Sequence, residues 1–340
     1  MESEGKEVKC KTKASFKAIQ KALNIDKVVV YAGLSLCKDT SKPDQSSLYL
    51  ECSNEVKRIV EKELQLQGED VLVAPNVFGN KVRQVDGKTT LYFNYVYYNS
   101  LKILEENNPD EVYIDITHGV NYMPLLATEA IKLASYVYAI DKKNLTIRIY
   151  NSEPVIGKSE GPYHISKVFE EKVNTRISLL AVLTPFLQSN IKNLIINKLS
   201  KELKCDKELI LPSANALFSG IFLFLLMNKN EIMKCMESVE QRIKVLDYGQ
   251  PSINLALEGT TLVYKDKMDI ELSYLHALLK VLSKIIGSRK VEENCVKLSD
   301  IRDLTEKYYT SELIRSAVLN EIDKLEGNRD KLTSEPEIFS

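Results

Sequence analysis

The segment Asp115-Ile-Thr-His-Gly-Val-Asn-Tyr-Met-Pro124 gathers side chains that could do chemistry. Glu111–Ile116 is a β-branched run, which predicts a buried strand ending at Ile116. Thr117-His118-Gly119 reads as a polar turn. A helical pattern follows from Val120 to Ala139, with Pro124 in its first turn, where a missing N–H does no harm. Open α/β sheets bind ligands at the carboxyl ends of their parallel strands. A helix N-terminus there adds unpaired N–H donors and roughly half a positive charge, which suits a phosphate. Gly119 lets a ligand approach the backbone. Thr117, His118 and Asn121 offer hydrogen bonds to sugar hydroxyls or base edges. The same residues also suit an ordinary strand–helix connection with a capping Thr and a surface His.

A second candidate is Gly33-Leu-Ser-Leu-Cys-Lys38, after the run Lys27-Val-Val-Val-Tyr-Ala-Gly33. Gly33 frees backbone, Ser35 brings a hydroxyl and Lys38 a positive charge. A routine turn explains these residues equally well. Pro75-Asn-Val-Phe-Gly-Asn80 follows a further strand pattern and would form a third wall, or a lead-in to a hairpin. The chain has no GxGxxG with its following acidic residue and no Walker A loop, so nicotinamide, flavin and ATP-hydrolysing readings lose their support.

Histidines number three: His118, His164 and His276. Metal sites and nucleophile–His catalysis draw on this residue, so both are constrained, and no metal is expected. His276 lies in an apolar helical stretch and reads as an interior His. The six cysteines (Cys10, Cys37, Cys52, Cys205, Cys235, Cys295) have no CxxC spacing and read as free thiols. With no apolar leader and no span-length apolar run, a reducing cytoplasm is the expected location.

These candidates need elements to position them. The chain has 340 residues, 44% hydrophobic, enough for about two domains. Its net charge of -1 argues against a permanent coat on long nucleic acid. Residues 1–26 read as a Lys-rich extension with a short amphipathic helix near Ala14–Leu23. Strand patterns at 27–33, 70–75, 111–116 and 145–150 alternate with helices at 51–67, 93–106 and 120–139. Lys81–Phe93 alternates around Asp86-Gly87, a hairpin signal. The fold class expected is α/β: a Rossmann-like, mostly parallel sheet over 27–155. Residues 156–172 read as a connector and 173–340 as an all-helical domain, with helices at 176–196, 214–227, 229–246, 269–286, 297–308 and 311–325.

Val30-Tyr-Ala-Gly-Leu-Ser35 together with Asp115–Pro124 resembles the CRISPR-associated Rossmann-fold (CARF) sensors of type III CRISPR systems, in particular those joined to a helical HEPN ribonuclease domain. The resemblance implies binding of cyclic oligoadenylate, expected to be cyclic tetra-adenylate, on the two-fold axis of a homodimer. By matching position, Gly33, Leu34, Ser35, Thr117, His118, Gly119 and Asn121 are its expected contacts, with Lys38 beside them. A symmetric ring suits an isologous interface that supplies each loop twice. In the family, the ligand activates helical domains that cut single-stranded RNA without a metal, so RNA is a further expected partner and no other cofactor is implied.

The resemblance also carries a gap. The HEPN site is an Arg followed four to six residues later by His. Arg83, Arg148 and Arg242 are far ahead of the three histidines, and no His follows His276. Catalytic residues are therefore unassigned, and the chain is expected to be either truncated or catalytically incomplete. Three functions stay open: a sensor of the CARF–HEPN kind, a ring nuclease using Ser35 and Lys38, or a non-enzymatic regulator.

Overall fold

The computed structural model describes residues 2–3, 6–7, 9–38, 47–66, 70–119, 122–142, 144–153, 163–187, 203, 205–291 and 295–327. In chain order the elements are β1 (Glu2–Ser3), β2 (Lys6–Glu7), α1 (Ser15–Leu23), β3 (Val29–Gly33), α2 (Leu48–Leu64), β4 (Asp70–Ala74), β5 (Val82–Gln84), α3 (Thr90–Asn107), β6 (Glu111–Asp115), α4 (Tyr122–Ala139), β7 (Leu145–Ser152) and β8 (Ile165–Val173). Then come α5 (Thr175–Leu187), α6 (Lys207–Phe218), α7 (Phe222–Met227), α8 (Lys229–Ile243), β9 (Leu255–Glu258), β10 (Thr261–Tyr264), α9 (Glu271–Ile286), α10 (Leu298–Lys307) and α11 (Glu312–Gly327).

The chain divides into two compact units. The first holds residues 1–138, 144–173 and 241–273, and the second 139–143, 174–240 and 274–340. The first unit is α/β. β3 pairs in parallel with β4, from Val29↔Asp70 to Gly33↔Ala74. β6 pairs in parallel with β7, and β8 runs antiparallel on the far edge of β7. These are separate sheets, β3-β4 and β6-β7-β8, where the strand–helix alternation predicts one.

The helices of this unit follow their apolar patterns. Leu48, Cys52, Val56 and Val60 of α2 are buried at four-residue spacing, one stripe of a surface helix. α3 is buried from Leu91 to Leu101 on every side, the mark of an interior helix. Its polar residues are satisfied. Asn99 Nδ2 donates to the Leu246 carbonyl and Asn99 Oδ1 accepts from the Tyr248 N–H, each at 2.8 Å, and Ser273 Oγ donates to Asn94 Oδ1 at 2.5 Å.

Three expectations about elements are corrected. Lys81–Phe93 is not a hairpin: β5 pairs in parallel with β10, and α3 begins at Thr90. The hairpin lies at β9–β10, where Gly259, with φ of +62°, turns the chain. Tyr264 of β10 is fully buried, and two of this sheet's three strands come from the stretch expected to be an all-helical domain, between the helices expected over 229–246 and 269–286. The stretch expected to connect domains holds strand β8, while residues 154–162 lie outside the described part.

The second unit is helical among its described residues. The helix expected over Ala214–Met227 is two, α6 and α7, because Gly220 takes a left-handed φ of +70° between them. The helix expected over Arg176–Ile196 is described to Leu187. His276 of α9 is buried, with Nε2 at 2.7 Å from Glu240 Oε2 of α8. Four of the six cysteines are not free thiols. Cys37 is joined to Cys52 and Cys205 to Cys235, with Cα–Cα distances of 5.3 and 5.0 Å. Cys10 and Cys295 are free.

Candidate ligand-binding rim

The loop after β3 and the first turn of α4 are tied to the loop after β4 by one side chain that the sequence does not single out. Asn76, completely buried, follows β4. Its Oδ1 accepts from the Ser35 N–H and its Nδ2 donates to Ser35 Oγ, both at 2.9 Å. The same Nδ2 lies 3.7 Å from Met123 Sδ of α4. The next residue continues the link: Val77 N–H donates to Tyr122 Oη at 2.6 Å, and Tyr122 Oη donates to the Val77 carbonyl at 2.9 Å. Burial raises the Tyr122 phenol, so it stays protonated and able to donate.

Gly33 is required by space. A Cβ on it would sit 2.6 to 2.8 Å from the Asn76 side-chain amide. Leu34 starts a 3-10 turn, Leu34–Leu36, and is fully buried, so its side chain packs rather than faces solvent. Ser35 is half-buried. Lys38 is exposed, and its N–H donates to Glu55 Oε1 at 3.1 Å. The Cys37–Cys52 link fastens the end of this loop to α2.

On the other side, Thr117 folds back on the end of β6. Its N–H and Oγ1 both donate to Asp115 Oδ1, at 3.0 and 2.5 Å, and its Oγ1 accepts from the Ser152 N–H at 3.0 Å. The hydroxyl therefore stabilises the turn, with one lone pair left to offer. Asp115 Oδ2 accepts from Ser15 Oγ of α1. His118 and Gly119 are exposed. Gly119 takes φ of +148°, and a Cβ there would meet the Pro124 ring at 3.0 Å. Asn121 lies outside the described residues.

Seven of the eight candidate residues are thus placed, in two bends of which Lys38, His118 and Gly119 are exposed, with Asn76 between Ser35 and the start of α4. A buried Asn just past a strand is legible only as a polar residue in the Pro75–Asn80 loop, which reads equally as a lead-in to a hairpin. Beneath the rim lies a cavity of about 550 Å³, lined by residues of β3, β6 and α1, largely apolar but including Glu111 and Asp115, and reaching His118 and Gly119. Among the described residues no three His, Cys, Asp or Glu side chains are grouped to hold a metal ion.

Residues 1–154 match the family model described as CRISPR system endoribonuclease Csx1, CARF domain. The N-terminal region resembles a CARF domain. The match spans β1 to β7 and so includes both rim bends and Asn76. The chain is also 24% identical over 336 residues to the CRISPR system endoribonuclease Csx1 of Methanocaldococcus jannaschii. That alignment covers 94% of this chain and 66% of the relative, so the chain spans just under two thirds of the relative's length. The likeness to CARF-bearing CRISPR proteins expected from Asp115–Pro124 is therefore found, and the mixed α/β architecture of the first unit is consistent with it. No helix among the described residues is long and apolar enough to cross a membrane.

Proposed function

We propose that this chain is a CRISPR-associated sensor that binds cyclic oligoadenylate at the rim formed by Gly33–Ser35 and Thr117–Gly119. The observation that carries the reading is the Asn76 bridge, which holds Ser35 in register with the start of α4. A polyanionic ring needs donors fixed before it arrives, because each donor ordered on binding subtracts from affinity. Ser35 Oγ, the Gly119 backbone, His118 and the N-terminal end of α4 offer such donors along one rim. Two chains related by a two-fold axis would present the set twice to a ring with internal symmetry.

The M. jannaschii relative carries endoribonuclease in its name. RNA cleavage by this chain is not part of the proposal. His276, the nearest thing to a catalytic His in the helical unit, is buried against Glu240, and no Arg stands four to six residues before any His.

Titration of the protein with cyclic tetra-adenylate and cyclic hexa-adenylate by calorimetry tests the reading. Saturable binding at one ring per two chains is expected for one of the two. Neither ring binding, with the protein folded, would leave the rim as an ordinary strand–helix connection.

A further inference from the structure

The loop that carries Ser35 is held at two places. From one side, Asn76 grips Ser35 through two hydrogen bonds. From the other, two side chains of α2, one helical turn apart, hold the end of the loop. Cys52 is joined to Cys37, and Glu55 Oε1 accepts from the Lys38 N–H at 3.1 Å. Of these holds the Cys37–Cys52 link alone is covalent, and thiol chemistry can open and close it.

The α2 side of the link is fixed by packing. Cys52 lies on the buried stripe of that helix, between Leu48 and Val56. Cys37 is the loop side, and its position is passed on to Ser35. The Cys37 N–H donates to the Leu34 carbonyl at 2.9 Å and closes the 3-10 turn whose middle residue is Ser35. The Cys37 sulfur has a partner in either chemical state. Oxidised, it is bonded to Cys52. Reduced, its S–H has Glu55 Oε2 as acceptor, 3.2 Å from Sγ. A thiol is a weak donor, so opening the link replaces a covalent hold by a soft one without stranding a buried group.

We infer that the thiol–disulfide state of Cys37 and Cys52 regulates the rim: the joined form binds its ligand more tightly than the open form. The inference rests on the proposed function and names a control on that same site. A loop already fixed in its binding conformation costs less to order when the ligand arrives. The switching step is a two-electron exchange with a dithiol. Both cysteines are buried, so the attack follows a local opening of the loop end. One thiolate of the dithiol attacks Cys37 Sγ, the Cys37–Cys52 bond breaks, and Cys52 leaves as a thiolate that takes up a proton. The second thiolate of the dithiol attacks its own sulfur in the mixed disulfide and releases Cys37, which is protonated in turn. The protein gains two electrons and two protons, and the dithiol becomes a cyclic disulfide.

Calorimetric titration of the full chain with cyclic tetra-adenylate and cyclic hexa-adenylate tests this, without reductant and after incubation with dithiothreitol. The state of each cysteine is read by alkylating the denatured samples and mass spectrometry. The joined form should bind about fivefold more tightly than the open form. Cys52→Ser should show the weaker affinity in both buffers. Cys205→Ser removes the other link, which belongs to the helical unit, and should respond to the dithiol as the unaltered chain does. Equal affinity in the two buffers, with Cys37 and Cys52 free only after reduction, would overturn the inference and leave the proposed function standing. So would a pair that is already free without reductant, a pair that the dithiol leaves closed in the folded chain, or a response that disappears in Cys205→Ser. If neither ring binds in either buffer, the proposed function and the inference fall together.

Discussion

Asn76 and Ser35 grip each other twice: backbone N–H to Oδ1 and Nδ2 to Oγ, both at 2.9 Å, with the Asn completely buried. A buried amide with two partners on one residue fixes that residue's backbone and hydroxyl together. Asn76→Ala removes both bonds and leaves the Ser35 N–H short of its partner. The expected cost is about 1–3 kcal/mol of stability, read from urea denaturation. Ligand affinity should fall at least tenfold while the protein stays folded at room temperature. Unchanged affinity would mean that Ser35 needs no holding.

The two rim glycines should fail for different reasons. Gly33→Ala puts a methyl group against the Asn76 amide and so disturbs the bridge, although its backbone φ of −84° suits any residue. Gly119→Ala faces a left-handed φ of +148° and the Pro124 ring together. Strain of this kind costs on the order of 1–3 kcal/mol. Gly33→Ala combined with Asn76→Ala should lose less affinity than the two single losses added, since the methyl then has room. A strictly additive double variant would separate Gly33 from Asn76.

Arg148 should make the first unit sensitive to acid. Hydrogen bonds from Lys167 and Arg148 hold the Glu170 carboxyl down at about 2, and Tyr113 and Arg148 hold Glu111 below its usual range. A carboxylate whose pKa is depressed on folding stabilises above its unfolded value, and that contribution is lost as pH falls through the folded value. The window is therefore from about 4.5 down to about 2. Arg148→Met should flatten the fall of the urea midpoint between these pH values. These are exposed groups, so the effect will be modest and will shrink in salt. An identical pH profile in the variant would show that Arg148 has no part in it.

The Cys37–Cys52 link closes a loop of 15 residues that begins beside the rim. Chain-entropy arguments put such a closure at about 3 kcal/mol. Cys52→Ser should lower the urea midpoint accordingly under non-reducing conditions and leave it unchanged under excess dithiol, where the native pair is also open. The experiment compares both proteins in both buffers. Equal midpoints in the absence of reductant would mean that the two sulfurs do not hold the loop.

Much of the rim was legible in the residues. A strand expected to end at Ile116 ends one residue earlier, at Asp115, and the helix expected from Val120 is α4 from Tyr122, with Pro124 in its first turn as its local chemistry implies. The Thr117 hydroxyl was expected to face a ligand, yet two of its bonds are spent on Asp115 and Ser152. Proximity in sequence hid that competition, because Ser152 lies 35 residues away. Asn76 was missed for a similar reason: its partners Ser35 and Met123 are distant in sequence, and nothing local marks a loop Asn as buried. The hairpin assigned to Lys81–Phe93 failed because Asp86-Gly87 is a sound turn signal whose flanking strand, β5, finds a better partner in β10. The strands β9 and β10 fall between the helices expected over 229–246 and 269–286, in a domain expected to be all-helical, because neighbouring helices dominate the pattern.

That long-range pairing has a practical consequence. The α/β unit of this polypeptide is not one uninterrupted stretch. Val82–Gln84 is completed by Leu262–Tyr264, some 180 positions downstream, after much of the helical portion has been threaded. A gene fragment stopped near residue 155, the natural cut for anyone grafting the module onto another protein, would leave that early strand without its parallel partner, Asn94 without its Met268 and Asp269 acceptors, and Asn99 with only the Tyr95 carbonyl of its present partners. Transplanting the module intact would call for carrying residues 241–273 along, joined across the excised helices by a short bridge.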